Sequence, residues 1–417
     1  MSTTEHRLAF WALSSAFVVD LLGYAFIVPI LPSWKEQFGL SNGMATALVS
    51  LWAVPLFLLG PYAGRLTDKF GPGKTIIASL VLLTGASLLY LLATEELLPH
   101  PFWVLVAARL IHGASGAAII TAGFAAASKL WPLNFGEQSG KLLAIGTIGG
   151  LMGPVIGGVA FELGESMAFV LLAVITASAI PLAIMAESKI GKSEESIQTG
   201  VSIMAFVRNP MLLRIGLLIM LATLATGALE AGVPLFLAEE PLSMGAGQIG
   251  GVLLVMVLMQ GLGGWWWGTL VDRRGPTRYM IIGWILVITA LIGSGFVAHY
   301  WLSMNGVIVI IGLLGVFQFA VAAAQVPMLP MIDTATTQAY GDGSAGLAFG
   351  AFGTAWAAGT IFGPLLIGII LDISGKWSIT LGMVAIPMVL GLVLTLIYRS
   401  ELSECYEKEM ASRLESE

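Results

Sequence analysis

Apolar residues recur along this chain in runs of about 20, each bounded by short polar turns. Twelve such runs are read, over approximately 8–32, 44–64, 74–93, 102–128, 141–161, 167–186, 211–237, 247–270, 277–298, 304–331, 345–370 and 377–398. A run of about 20 apolar residues is long enough to cross the hydrocarbon of a bilayer as a helix. Lipid offers backbone groups no partner, and the runs lack the alternation of a membrane barrel. The pattern therefore predicts an all-α membrane protein of twelve transmembrane helices.

The polar punctuation repeats as well. Gly64-Arg65-Leu66-Thr67-Asp68-Lys69-Phe70-Gly71-Pro72-Gly73-Lys74 returns as Gly268-Thr269-Leu270-Val271-Asp272-Arg273-Arg274-Gly275-Pro276-Thr277-Arg278. The offset is close to half the chain, which predicts an internal duplication. The only long connection is the polar stretch around Lys189-Ile190-Gly191-Lys192-Ser193-Glu194-Glu195-Ser196. It divides the chain into an N-terminal six-helix bundle (1–190), a cytoplasmic linker (191–208), a C-terminal six-helix bundle (209–398) and a cytoplasmic tail (399–417). Two such halves predict a transporter whose substrate meets them at a central cavity.

Composition supports the membrane reading: 57% of residues are apolar and 11% charged, against roughly 25% charged in a soluble domain. Lys and Arg fix the orientation. With the N-terminus inside, the inner loops hold Arg65, Lys69, Lys74, Lys129, Lys141, Lys189, Lys192, Arg208, Arg214, Arg273, Arg274 and Arg278, and the outer loops only Lys35 and Lys376. Both termini are expected in the cytoplasm. Much of the net negative charge lies in the tail from Glu401 to Glu417, read as solvated and frayed at its end. The one cysteine, Cys405, excludes an internal disulfide. No cleavable signal peptide is expected, since the first apolar run is long and holds Asp20. The absence of an Asn-x-Ser/Thr sequon favours a bacterial cytoplasmic (inner) membrane.

Charges within the spans are expensive, roughly 2.5–3.5 kcal/mol each on insertion scales, and mark candidate function. Asp20 lies near the middle of the first span and Glu230 in the seventh, 210 residues apart, the same offset that separates Pro154 from Pro364. Duplication then makes the two acids equivalent, and both are candidates for proton carriage or for pairing with a cationic substrate. The alternative for each is a structural acid bonded to a neighbouring helix. Arg109, in the fourth span, needs a carboxylate or several carbonyls. Asp20 is its natural partner, either in a pair that tunes and switches or in a static one. His112 lies one turn further along the same face, although a lone histidine is commonly a satisfied hydrogen bonder.

The fifth span carries Gly149-Gly150-Leu151-Met152-Gly153-Pro154-Val155-Ile156-Gly157-Gly158, and the eleventh carries Gly359, Gly363, Pro364 and Gly368. Small residues four apart let helices touch closely and Pro154 bends its helix, so ordinary packing or a conformational role accounts for both runs. Aromatic and amide residues within the spans are candidates to line a substrate site: Tyr24, Trp52, Phe236, Gln260, Gln318, Gln325 and Trp356. Trp265-Trp266-Trp267 reads as interfacial anchoring.

Together these motifs resemble the major facilitator superfamily, in its twelve-span drug:proton antiporter branch. The loop motif Gly-x-x-x-Asp-(Arg/Lys)-x-Gly matches at Gly64, Asp68, Lys69 and Gly71, and again at Gly268, Asp272, Arg273 and Gly275. The fourth-helix Arg-x-x-x-Gly motif matches at Arg109 and Gly113, and the antiporter motif at Gly149, Gly153, Pro154, Gly157 and Gly158. Within the branch, Asp20 followed by Val28-Pro29-Ile30 and Pro32, and Leu229-Glu230 followed by Val233-Pro234 and Phe236, are similar to the vesicular monoamine and acetylcholine transporters and their bacterial relatives. The chain departs from them where Gln325, about Gly353 and about Trp52 replace an Asp, an Asp and a Lys.

The resemblance implies that Asp20 and Glu230 recognise a substrate ammonium and exchange protons; Arg109 joins them as a proton-coupling candidate on the residue reading above. With the aromatic and amide candidates read from the spans, the expected substrate-binding set is Asp20, Glu230, Tyr24, Phe236, Gln260, Gln325 and Trp356, and the Asp68 and Asp272 loops are expected to latch the cytoplasmic gate. The expected activity is proton-coupled export of small organic cations, aromatic monoamines or amphipathic drugs, by alternating access. A siderophore, another metabolite or a tetracycline-like drug is the alternative cargo. A monomer in the bilayer is expected, driven by the proton gradient with no cofactor, no metal, no enzymatic activity and no nucleic-acid partner.

Overall fold

The computed structural model describes residues 3–131, 135–190, 208–301, 303–341 and 345–416. The predicted linker lies almost wholly outside them. Numbered in chain order, the helices of the first half are α1 (Thr3–Phe26), α2 (Leu31–Gln37), α3 (Asn42–Phe70), α4 (Pro72–Thr94), α5 (Pro101–Leu130), α6 (Phe135–Leu163) and α7 (Glu165–Ile190). Those of the second half are α8 (Pro210–Ala238), α9 (Ala246–Arg274), α10 (Thr277–Tyr300), α11 (Met304–Gln325), α12 (Met328–Tyr340), α13 (Ala345–Ser374), α14 (Trp377–Ile397) and α15 (Arg399–Ser416). Among the described residues, twelve stretches are long and apolar enough to cross a membrane.

Two stretches are compound. The first, His6–Gln37, joins α1 to α2 through a short 3-10 turn at Val28–Ile30. Pro29 and Pro32 supply no N–H there, which ends one regular ladder and starts the next. The tenth, Asn305–Tyr340, breaks between Gln325 and Met328. It runs past the predicted end at 331, because Pro327 resets the helix instead of ending the span.

The repeated loop motif is repeated in backbone. Gly71 (φ 86°) and Gly275 (φ 79°) sit in the left-handed region that favours glycine. Each donates its N–H back into the preceding helix, to the carbonyls of Thr67 and Val271 at 2.9 Å. Pro72 and Pro276 then open α4 and α10.

The chain divides into two compact units. Unit 1 comprises Met1–Leu40, Ala47–Gln198 and Met244–Leu254; unit 2 comprises Ser41–Thr46, Thr199–Ser243 and Val255–Glu417. The first turns of α3 and of α9 thus group with the opposite half from the rest of their helices, whereas the sequence-based boundaries give uninterrupted halves.

Within unit 1, α6 lies along α1, and its motif glycines make that approach possible. A side chain at Gly149 would strike the carbonyl oxygen of Val18, and one at Gly157 that of Phe26. Between them, a Cβ on Gly153 would come within 2.7 Å of the Leu22 carbonyl oxygen. The steps of four match on both helices, so α1 and α6 run parallel with backbones in contact. Within unit 2, Gly359 and Gly363 of α13 meet Met220 and Leu224 of α8 in the same way.

The tail is a packed helix. Leu402, Cys405 and Tyr406 of α15 are buried, and the Cys405 thiol faces the Met331 carbonyl of α12 at 3.4 Å. Thr277 and Ser403 share a hydrogen bond of 2.9 Å, and Arg214 pairs with Glu401. The acidic count conceals these apolar positions, and the reading of a solvated tail is corrected over this helix. Trp265 and Trp266 are exposed as interfacial anchors would be, but Trp267 is buried and donates to the Phe319 carbonyl at 2.9 Å.

Candidate functional site

The buried charges of unit 1 converge where α1, α4 and α5 meet. Asp20, Arg109 and His112 are each at most 1% exposed, and Tyr90 is fully buried. Glycines open the space. A Cβ on Gly116 of α5 would lie 2.9 Å from an Asp20 carboxylate oxygen, and one on Gly23 of α1 would lie 3.0 Å from Cε1 of His112. Gly113 lets α5 press against the Trp52 carbonyl of α3.

His112, not Arg109, is the close partner of Asp20. Its Nε2 lies 3.4 Å from Oδ1 and 3.2 Å from the backbone oxygen of Asp20, while its Nδ1 lies 3.4 Å from the Tyr90 hydroxyl. Arg109 instead donates to three backbone carbonyls, through Nε to Leu48 at 2.7 Å and through its terminal nitrogens to Tyr24 and Val49 at 3.5 Å. Its guanidinium carbon lies 5.3 Å from the centre of the Tyr24 ring. The predicted Asp20–Arg109 pair is corrected: α3 and α1 present enough carbonyls to satisfy a forked cation, which leaves the carboxylate to the imidazole. Tyr24 packs on Trp52 at 4.2 Å between ring centres, and the edge of His112 meets Trp52 at 6.3 Å. The face of Tyr24 thus flanks the guanidinium.

The candidates of unit 2 are spread over several helices. Glu230 lies half-buried on α8. Gln260 of α9 donates to Gln325 at the end of α11 at 3.1 Å, so two of the predicted substrate-binding amides do meet. Gln318 is buried, and its Oε1 has no hydrogen-bond partner among the described residues. Phe236 packs edge-on against Trp377 at 5.4 Å. Trp356 lies half-buried on α13.

Of the gate motifs, Asp68 and Lys69 are exposed, and Asp68 forms no hydrogen bond or ion pair with the described residues. Lys69 lies 5.1 Å from the Phe70 ring centre. The side chains of Asp272 and Arg273 lie outside the described ones. Gly64 and Gly268 stand one turn before these charges, and Gly158 packs against the Ala246 carbonyl inside unit 1. Pro154 lies within α6 without ending it.

A family profile described as Major Facilitator Superfamily matches residues 13–328, three quarters of the chain. The chain belongs to that superfamily. Its relatives include Multidrug resistance protein 2 of Bacillus subtilis, 24% identical over 96% of this chain and 97% of that protein. The human MFS-type transporter SLC18B1 is 24% identical over 92% of this chain and 84% of its own length. Tetracycline resistance protein, class B, of Escherichia coli is 25% identical over 71% of this chain and 74% of its own. A crystal structure of a bacterial homologue of the human lysosomal transporter Spinster, inward-facing and unoccupied, superposes with a TM-score of 0.70. It covers 100% of this chain and 99% of its own at 13% identity, and so supports the fold. The protein is an integral, multi-pass membrane transporter of small molecules and not an enzyme.

Tyr90 is the member of the site that sequence reasoning missed. It stands in the apolar run Leu88-Leu89-Tyr90-Leu91 with no periodic signal. The link from His112 to Asp20 was equally invisible, although its position one turn beyond Arg109 marked the right helix face.

Proposed function

We propose that the protein exports small organic cations from the cytoplasm in exchange for protons, by alternating access across a bacterial inner membrane with both termini cytoplasmic. One observation carries the reading. Asp20 is a carboxylate buried at the centre of a spanning stretch beside the imidazole of His112, while the nearby guanidinium of Arg109 donates to carbonyls. An acid so placed exchanges charge cheaply only by gaining a proton or a cationic ligand. Protonation from outside releases the cation, and deprotonation toward the cytoplasm restores the site. Tyr24 and Trp52 give an aromatic face to the cargo, and Glu230, Phe236, Gln260, Gln325 and Trp356 act from the second half. Arg109 braces α5 against α1 and α3 and holds Tyr24. The loops at Asp68 and Asp272 latch the cytoplasmic side, with Gly64, Lys69, Gly71, Gly268, Arg273 and Gly275 shaping the turns. The glycine contacts of Gly149, Gly153 and Gly157 let α6 move as one with α1. The cargo moves through a monomer on the proton gradient alone.

The drug-resistance relatives support this substrate class, and the tetracycline relatives keep a tetracycline-like cargo as a second reading. Proteoliposomes with an acidic lumen test both. Ethidium, a permanent cation that weak-base partitioning cannot trap, is expected to accumulate in wild-type vesicles. Asp20→Asn and Glu230→Gln are each expected to reduce that uptake at least tenfold. Tetracycline uptake without ethidium uptake selects the second reading, and full ethidium uptake in both variants rejects the relay.

A further inference from the structure

His112 enters the export reading only as the neighbour of Asp20, which gives it no proton of its own to carry. It lies between two partners whose chemistry fixes its state. The Asp20 backbone oxygen, 3.2 Å from Nε2, only accepts. While Asp20 is ionised, the proton of a neutral imidazole therefore sits on Nε2, which lies 3.4 Å from a carboxylate oxygen that forms no hydrogen bond among the described residues. Nδ1 then accepts from the Tyr90 hydroxyl, 3.4 Å away. A second proton arriving at Nδ1 is equally well met, because the hydroxyl turns from donor to acceptor without moving its oxygen.

We propose that His112, oriented by Tyr90, is a second proton-carrying group coupled to Asp20, so that the site stores its proton on a carboxylate–imidazole pair. In the internal step, the Nε2–H bond of the imidazolium breaks as an O–H bond forms on Oδ1. An ion pair becomes a neutral acid and a neutral imidazole that keeps its proton on Nδ1. The charge balances with no further reactant. Among the described residues, the charged and titratable groups around the ring are Asp20 of α1, Tyr90 of α4, and Arg109 one turn away on α5, which itself lies against the Tyr24 ring of α1. From α3, the Trp52 ring meets the imidazole edge-on. Gly23 and Gly116 leave the ring and carboxylate their space. The role in transport rests on the proton-coupling reading; the coupling of the two groups does not.

The test separates the two. The chain has four histidines, so 15N-histidine labelling of the purified full-length protein gives a tractable spectrum, and His112→Gln assigns the signal. While Asp20 is ionised, the neutral form is expected to carry its proton on Nε2, and transfer to Oδ1 is expected to leave it on Nδ1. The signal is expected to titrate, with a midpoint that moves by about one unit or more in Asp20→Asn. Tyr90→Phe is expected to change the Nδ1 shift without loss of the fold. A signal that never titrates, or identical curves in wild type and Asp20→Asn, overturns the proposal. In vesicles, His112→Gln retains an amide donor for Asp20, and its ethidium uptake is expected to show a pH profile displaced by about one unit at unchanged thermal stability. An unchanged profile in an active protein overturns the transport role. Wild-type vesicles that ignore the pH gradient reject the export reading, while the spectrum still judges the pair.

Discussion

Gly116 of α5 faces Asp20 of α1 across a gap with no room for a methyl group: a Cβ there would lie 2.9 Å from one carboxylate oxygen and 3.0 Å from the other. Alanine is a better helix former than glycine, so Gly116→Ala should leave α5 intact. It should displace the carboxylate from His112 without removing a titratable group. Gradient-driven ethidium uptake is expected to fall at least tenfold with the melting temperature nearly unchanged. Wild-type uptake would show that the position of Asp20 is not critical.

Arg109 is expected to be structural in the first instance. A lysine has one ammonium in place of a fork and cannot serve Leu48, Tyr24 and Val49 together. Arg109→Lys should lose one or two charged hydrogen bonds, about 1.5–3 kcal/mol each. The readout is a thermal melt in detergent, where a drop of several degrees is expected, and an unchanged melt would place the guanidinium elsewhere.

The glycine run of α6 gives a paired comparison on one helix. Gly157→Ala forces a methyl into the Phe26 carbonyl, whereas Gly150 has nothing within 4 Å of its would-be Cβ. Gly157→Ala is expected to reduce folded yield and transport together. Gly150→Ala is expected to behave as wild type in size-exclusion yield and uptake. Equal tolerance at both sites would mean α1 and α6 are not in backbone contact.

The terminal helix makes the single cysteine a reporter. Cys405 is 5% exposed, on the buried face of α15. Maleimide should label the native protein slowly. Leu402→Asp places an unpartnered charge in the same buried face, and should raise the labelling rate about tenfold or more by detaching the helix. Rapid labelling of the wild type would contradict docking of α15.

The twelve spans and the duplication were legible because membrane solvation acts on long runs and the repeat preserves its turn chemistry, down to the positive φ at Gly71 and Gly275. Asp20, Arg109 and His112 stood out because buried charge is rare. Their pairing was not legible: Arg109 takes its partners from the backbone of α3 and α1, and carbonyls leave no mark in a sequence. Tyr90 reads as one more apolar residue until the fold brings it to the imidazole. The docked tail was hidden for the opposite reason, since its acidic residues mask the one face formed by Leu402, Cys405 and Tyr406.

Proton release on cargo binding tests the central claim most directly. Ethidium added to purified protein in weakly buffered detergent at mildly acidic pH is expected to displace about one proton per bound ethidium in the wild type. None is expected in Asp20→Asn. Tight ethidium binding with no proton release from the wild type, or the same release from Asp20→Asn, would contradict the account.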